Sequence, residues 1–389
     1  MLAAPDDRSA TGAFPVGDTG AVSRSRLPVL AALAVLPALG TSLVGAARGV
    51  RRSLGAGRTV RDHADSPQFH DGMFHNRLPS TEVPEGSRAA LAAEFAAKGR
   101  RGKPSGPVHV ETPHLPARAT SLAATWLGHA TVLLEIEGHW VLADPVWSDR
   151  VSPSATIGPR RNHPVPMPVE DLPPLDAVLI SHDHYDHLDT ATIDALVARG
   201  TVPVFVVPLG VGDHLRRWGV PADRVVELDW EESHRIGGLT FTCTEARHFS
   251  GRSLVNNTTL WSSWVVAGAE RRVFFGGDSG YTPAFADIGK RHGPFDLTML
   301  PIGAYDARWP DVHMDPEEAV RAHRELRGDV LLPIHWATFD LAFHEWSAPV
   351  EWVRAQAAAE DVRLALPAPG GRFTPTGALP AAQWWAASA

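Results

Sequence analysis

The apolar run LDAVLI, residues 175–180, leads through Ser181 directly into HDHYDH, His182 to His187. A short, continuous apolar stretch of this kind reads as a strand covered on both faces. In α/β proteins the loop past the C-terminal end of such a strand is where ligand sites are built. Alternation along an extended segment sends His182, His184 and Asp186 to one side, with His187 beside them. Three imidazoles and a carboxylate converging without a counter-charge would be costly to bury, whereas a divalent cation turns the same donors into ligands. A histidine-rich surface loop is the plain alternative.

The rest of the chain argues against that alternative, because similar donors recur in similar settings. EARHFS puts His248 past the strand-like LTFTCTEA, FFGGDSGY puts Asp278 past RRVFF, and LLPIHWATF puts His335 past DVLLP. Between them the pattern alternates strands with interspersed helices. LAATWLGHATVLLEIEGHWVLADP reads as three short strands joined by tight turns at Gly128 and Gly138. DTATIDALVARG and DPEEAVRAHREL read as helices, the first with Gly200 as its stop. Strand, helix, strand implies a right-handed crossover.

The 389 residues, 44% hydrophobic, can bury a large core. A formal charge of -8 without a basic stripe gives no case for nucleic-acid binding. Cys243, the single cysteine, excludes an internal disulfide and reads as a packed thiol. Residues 1–26 read as disordered. Residues 27–47 carry no charge over 21 positions, between Arg24 and Arg26 on one side and Arg48, Arg51 and Arg52 on the other. That is long enough for a membrane anchor, and the heavier arginine load on the C-terminal side would then place the main domain in the cytoplasm. A signal peptide, with export, is one alternative. A soluble amphipathic helix is the other, since Leu27, Leu30, Leu33 and Leu36 recur every third residue. Residues 48–120 form a basic, Pro- and Gly-rich arm with one helix, SRAALAAEFAAKG, and residues 121–389 the main domain.

With HDHYDH followed by His248, Asp278 and His335, the chain resembles the metallo-β-lactamase fold superfamily of binuclear zinc hydrolases. WLGHATVLLEIEG, SHDHYDHLD, RHFSGRS with NNTTLWSSWVV, FFGGDSGY, LPIGAYDARW, DPEEAV and PIHWATF are similar to its N-acyl-phosphatidylethanolamine phospholipase D branch. The resemblance implies an α/β fold, a four-layer αββα sandwich with two sheets inside and helices outside. It implies that His182, His184 and His248 hold one zinc, that Asp186, His187 and His335 hold the second, and that Asp278 bridges them. Iron or manganese suits the same donors. Two such cations could share a water, bring its pKa toward neutrality and present it as hydroxide to phosphorus, with Asp186 orienting it. Asp144 would hold the outer nitrogen of a ligating histidine, or else simply form a turn. A related redox branch with iron pairs has a glutamate where His184 stands and carries a flavin module; neither feature is seen, which favours hydrolysis.

His313, in PDVHMDPEEAV, sits where the phospholipase branch has a histidine implicated in the active site; it would protonate a leaving alcohol or hold a phosphate oxygen. Asp315 replaces the usual Asn of that motif and caps a helix equally well. Arg160, Arg161 and Arg252 are candidate anion binders, with ordinary surface roles as the alternative. Most tryptophans read as core, Trp147 and Trp309 being candidates for a lipid-facing rim. The expected activity is metal-dependent hydrolysis of a phospholipid or other small phosphodiester. Lactone or cyclic-ester hydrolysis is the alternative chemistry, and a membrane-tethered metal-binding scaffold the alternative without catalysis.

Overall fold

The computed structural model describes residues 49–55, 63–81, 87–252 and 255–389. The segment 1–26 and the apolar segment 27–47 lie outside the described residues. Among the described residues no helix is long and apolar enough to cross a membrane.

Two mixed seven-stranded sheets form the centre. In the arm, β1 (Phe69–His70) and β2 (Met73–Phe74) make a small hairpin, and α1 spans Ser87–Ala97. The first sheet opens with the expected meander: β3 (Leu122–Gly128), β4 (Thr131–Ile136) and β5 (His139–Ala143), antiparallel throughout. Its turns use Gly128 at φ 102° and Gly138 at φ 85°, conformations that cost glycine little. Strands β6 (Ala177–Leu179), β7 (Val204–Pro208) and β8 (Val225–Leu228) then add in parallel, connected by α2 (Thr190–Ala198) and α3 (Val211–Arg217). Asp189 caps α2 by accepting from the Ala191 amide, satisfying a donor that a helix start leaves open.

The second sheet mirrors the first. Strands β9 (Ser233–Ile236), β10 (Leu239–Thr244), β11 (Ser263–Ala267) and β12 (Arg272–Phe275) are antiparallel, while β13 (Phe295–Pro301), β14 (Gly328–Ile334) and β15 (Arg363–Leu364) continue in parallel. Helices α4 (Ala284–His292), α5 (Pro316–Glu325) and α6 (Ala348–Ala359) fall in this half, and α5 starts with a capping box between Asp315 and Glu318. The short β16 (Arg372–Phe373) returns to pair with β3 at the edge of the first sheet.

Strand alternation explains the layering. Val132, Leu134 and Ile136 of β4 join one core with Phe241, Trp264 and Leu297 of the second sheet. Leu133, between them in sequence, joins a second core with Ile193 and Leu196 of α2 and Leu215 of α3. The same inner core includes Phe285 and Ile288 of α4 and Val320 of α5. The result is the helix, sheet, sheet, helix order expected, and each fully buried Leu or Val side chain stabilises it by about 1.5–3 kcal/mol. Cys243 is completely buried in that inner core.

The arm is more integrated than its composition suggests. Phe74 of β2 is fully buried in the inner core, the Glu111 amide donates to the Pro369 carbonyl at 2.8 Å, and the Ser105 amide donates to the Ser388 carbonyl at 2.8 Å. A Pro- and Gly-rich stretch carries its own backbone donors and here spends them on the domain surface.

Candidate metal centre

All the candidate donors but His313 sit just past a strand. Asp144 follows β5, His182 to His187 follow β6, His248 follows β10, Asp278 follows β12, His313 precedes α5, and His335 comes immediately after β14. Asp144 at φ 39° and His335 at φ 62° adopt left-handed backbone, strain of about 1–3 kcal/mol that persists where surrounding structure over-determines it.

The structure brings all seven sequence-predicted ligands together. His182 Nε2 and His248 Nε2 lie 2.8 and 3.3 Å from His184 Nδ1. Asp186 Oδ2 lies 3.3 Å from His335 Nε2 and 3.6 Å from His187 Nε2. Asp278 Oδ2 stands between the two groups, 3.0 Å from His335, 3.1 Å from His187, 3.9 Å from His248 and 4.0 Å from His182, measured to each Nε2. Donors that could hold a cation thus fall in overlapping groups: His182 with His184 and His248, His129 with Asp186, His187 and His335, and, through Asp278, His182 with His187 and His248 with His313. His313 Nδ1 is 3.8 Å from Asp278 Oδ2, at the edge of the first group.

Hydrogen bonds at the outer nitrogens test whether these residues suit a metal. Asp144 accepts from His187 Nδ1, from the Ser181 amide and from Ser181 Oγ, at 2.6, 2.7 and 2.6 Å. Because Ser181 Oγ donates to Asp144, it accepts from His182 Nδ1 at 2.9 Å. His248 Nδ1 donates to the Val312 carbonyl at 2.8 Å. Three imidazoles therefore carry a proton on the outer nitrogen and turn Nε2 inward, the orientation a cation requires; for His187, Asp278, Asp186 and Asp144 outweigh burial and raise the ring well above the usual histidine value. Among the described residues, buried His187 Nε2 and Asp278 Oδ1 have no hydrogen-bond partner. Such orphaned acceptors are costly in a closed interior unless an ion uses them, so the residues fit the group.

Two glycines make the approach possible. A Cβ on Gly277, at φ 57°, would lie 2.4 Å from Ser181 Cβ, and one on Gly280 would lie 2.1 Å from the Asp311 carbonyl oxygen. The first lets the Asp278 loop close on Ser181; the second lets the His313 loop lie over it.

The electrostatics follow from burial. Burial and neighbouring imidazoles hold His182 well below the usual histidine value. Burial also lowers His248, against the pull of Asp278. For His335 burial acts downward as well, but Asp278 and Asp186 outweigh it and raise the ring to about 9. Burial would raise Asp278, yet His187 and His335 hold it well below the carboxylate range. Protons here stand in for positive charge that a cation would bring, and metal binding would release them.

One residue of the site escaped the sequence reading. His129, in the turn between β3 and β4, donates Nε2–H to Asp186 Oδ2 at 3.0 Å and is almost fully buried. Burial and His335 push its pKa down to about 3. The only signal in the sequence was its place within WLGHATVLLEIEG, where it looked like a turn residue.

The three arginines are placed differently from the ligands. Arg160 is two-thirds exposed and pairs with Asp149 at 2.8 Å. Arg161 is buried, donating to the Val146 carbonyl at 2.6 Å and lying over the Phe339 ring at 5.1 Å. Arg252, expected to bind an anion, is 2% exposed and spends its guanidinium on the Ser53 carbonyl, the Asp183 carbonyl and Thr190 Oγ1, at 2.8, 2.7 and 3.2 Å. It stacks over Tyr185 and Trp218. Its donors face protein, so the structure makes it a tether between the 49–55 segment and the histidine loop. Trp147 and Trp309 are partly exposed, their indole N–H groups bonded to the Met167 and Ala304 carbonyls.

Residues 139–336 match the family model described as the beta-lactamase superfamily domain. The chain belongs to the beta-lactamase superfamily. Within this superfamily it is 50% identical over 356 residues to the uncharacterized protein Rv0906 of Mycobacterium tuberculosis, covering 90% of this chain and 95% of that one. It is 42% identical over 251 residues to the N-acyl-phosphatidylethanolamine-hydrolyzing phospholipase D 1 of Caenorhabditis elegans, covering 62% of this chain and 70% of the relative. Among solved structures, Igni18, a metallo hydrolase from the archaeon Ignicoccus hospitalis, superposes with a TM-score of 0.51 at 21% identity, over 65% of this chain and 97% of that one. The fold is therefore the metallo-β-lactamase fold, and the protein is a metal-dependent hydrolase of this superfamily.

Proposed function

We propose that the protein is a phosphodiesterase of phospholipids, of the N-acyl-phosphatidylethanolamine phospholipase D kind, built on two zinc ions. The observation that carries this reading is the position of Asp278: one buried carboxylate oxygen within 3.0–4.0 Å of the inward nitrogens of four histidines drawn from both donor groups. A carboxylate so placed suits a bridge between two cations, and zinc suits a set of imidazoles and carboxylates. His182, His184 and His248 would hold one ion, and Asp186, His187 and His335 the other. When bound, such a pair supplies charge to neutralise a phosphoryl oxygen and lowers the pKa of a water.

The chain's own residues do the remainder. Asp144 fixes the ring of His187. Like the half-buried His184, Asp186 and His313, each 14% exposed, reach toward solvent. They are placed to orient the attacking water and to meet the leaving group. The similarity to the Caenorhabditis elegans phospholipase supports a phospholipid headgroup as substrate, and the uncharged stretch at 27–47 would suit attachment to a membrane.

The test is metal content per chain, followed on the same sample by hydrolysis of an N-acyl-phosphatidylethanolamine, a bis-aryl phosphodiester and a lactone. Two zinc equivalents with chelator-sensitive phosphodiester cleavage support the proposal. Lactone cleavage alone replaces the substrate class, and absence of metal overturns the centre.

A further inference from the structure

We propose that His129 is a positioning residue of the centre, whose Nε2–H holds Asp186 Oδ2, the oxygen that faces His187 Nε2 and His335 Nε2, in the direction in which a cation would meet it. The proposal rests on the reading of Asp186 as a ligand of the second cation.

The backbone of His129 is pinned from three directions. Its amide donates to Thr338 Oγ1 at 2.6 Å, and its carbonyl accepts from Trp126 Nε1 at 2.8 Å and from the His335 amide at 3.0 Å. It holds a left-handed φ of 52°, which non-glycine residues adopt seldom and mainly where structure enforces it. The ring is equally fixed, 4.1 Å from the His335 ring and edge-on to Phe339 at 5.1 Å, between centroids. Turn β3–β4 of one sheet and the end of β14 of the other are thus joined through this residue.

Among the described residues the side chain makes a single hydrogen bond: Nδ1 is buried without a partner there, and Asp186 Oδ2 is the acceptor in reach of Nε2. A site serving packing alone would be filled at lower cost by an apolar ring, because an unsatisfied buried nitrogen is penalised. The hydrogen bonds that Asp186 receives from the described residues, from His129 and His335, both fall on Oδ2. A carboxylate oxygen held by one hydrogen bond keeps its remaining lone pair in a fixed direction, as supporting hydrogen bonds to metal ligands generally do.

Three full-length variants decide the matter. His129→Phe keeps an aromatic ring without the donor, His129→Gln keeps a donor at similar reach, and His129→Ala removes both. The readouts are metal stoichiometry at saturating zinc, zinc affinity against a competing chelator, and kcat and KM for a bis-aryl phosphodiester. The expected result for His129→Phe is two equivalents retained, affinity for one of them lowered about 10–100-fold, kcat reduced, and KM nearly unchanged, with partial rescue in His129→Gln. Wild-type affinity and turnover in His129→Phe overturn the proposal and leave a packing residue. Loss of a whole equivalent at saturating zinc, without rescue by Gln, overturns it by making His129 a ligand. Fewer than two equivalents in wild type overturns the centre itself, and the proposal with it.

Discussion

Asp144 Oδ2 accepts the Nδ1–H of His187 at 2.6 Å, and neither side chain has any exposed surface. The pair fixes the ring of His187 and turns its Nε2 toward Asp278, 3.1 Å from Oδ2. Burial raises the pKa of Asp144, opposed by His187 and Ser181, so the carboxylate needs these donors as much as they need it.

Asp144→Asn keeps the shape but removes the charge that selects this tautomer. Zinc affinity is expected to fall about 10–100-fold, with the fold intact by circular dichroism. Chelator competition measures it, and wild-type affinity in this variant would remove the role assigned to Asp144.

Arg252→Ala breaks three hydrogen bonds and two ring contacts inside the protein. The expected cost is about 2–4 kcal/mol in urea unfolding, with KM for a phosphodiester unchanged. Arg252→Lys restores only part, because an ammonium cannot reproduce the fork of a guanidinium. A raised KM at unchanged stability would instead return Arg252 to substrate binding.

These residues also mark what was legible in the sequence. The seven predicted ligands could be read because each follows an apolar run of strand character, and Asp144 because it closes the β3–β5 meander. His129 could not, since a histidine after Gly128 looks like any turn residue until Asp186, far along the chain, is brought against it. The surroundings of Arg252 were hidden for a related reason: Ser53, Asp183 and Thr190 are scattered in sequence, and only folding gathers them. The helices α3 and α4 were not singled out, because VGDHLRR and AFADIGKRH are short and polar; tertiary packing, more than periodicity, makes them helical.

His323 on α5 is 2% exposed and shares a hydrogen bond of 2.7 Å with Thr298 Oγ1 on β13. Burial pushes its pKa down to about 4, against about 6.5 in an unfolded chain. Between those values the unfolded state binds more protons, so the stability contributed by the neutral ring is complete above about pH 6.5 and is lost as pH falls toward 4. At pH 5 the loss is about 2 kcal/mol. Urea unfolding at pH 7 and pH 5 should show His323→Leu losing less on acidification than wild type by about that amount; equal losses would contradict the assignment.

His313 closes the chemistry. Its ring stacks on His335 at 5.2 Å and 27° and meets His248 edge-on at 5.2 Å, while its buried Nδ1 has no hydrogen-bond partner among the described residues and lies 3.8 Å from Asp278 Oδ2. Burial pushes its pKa down to about 4, and neighbouring cations would lower it further. The ring is then neutral at pH 7, which favours hydrogen bonding to a phosphoryl oxygen over proton delivery as an imidazolium. His313→Ala is expected to lower kcat about 10²–10³-fold with two metal equivalents retained, and His313→Gln, which keeps a donor, to recover part of the loss. Elemental analysis beside steady-state kinetics separates the outcomes: if His313→Ala loses metal, the residue joins His248 and Asp278 as a ligand, and its role toward the substrate is withdrawn.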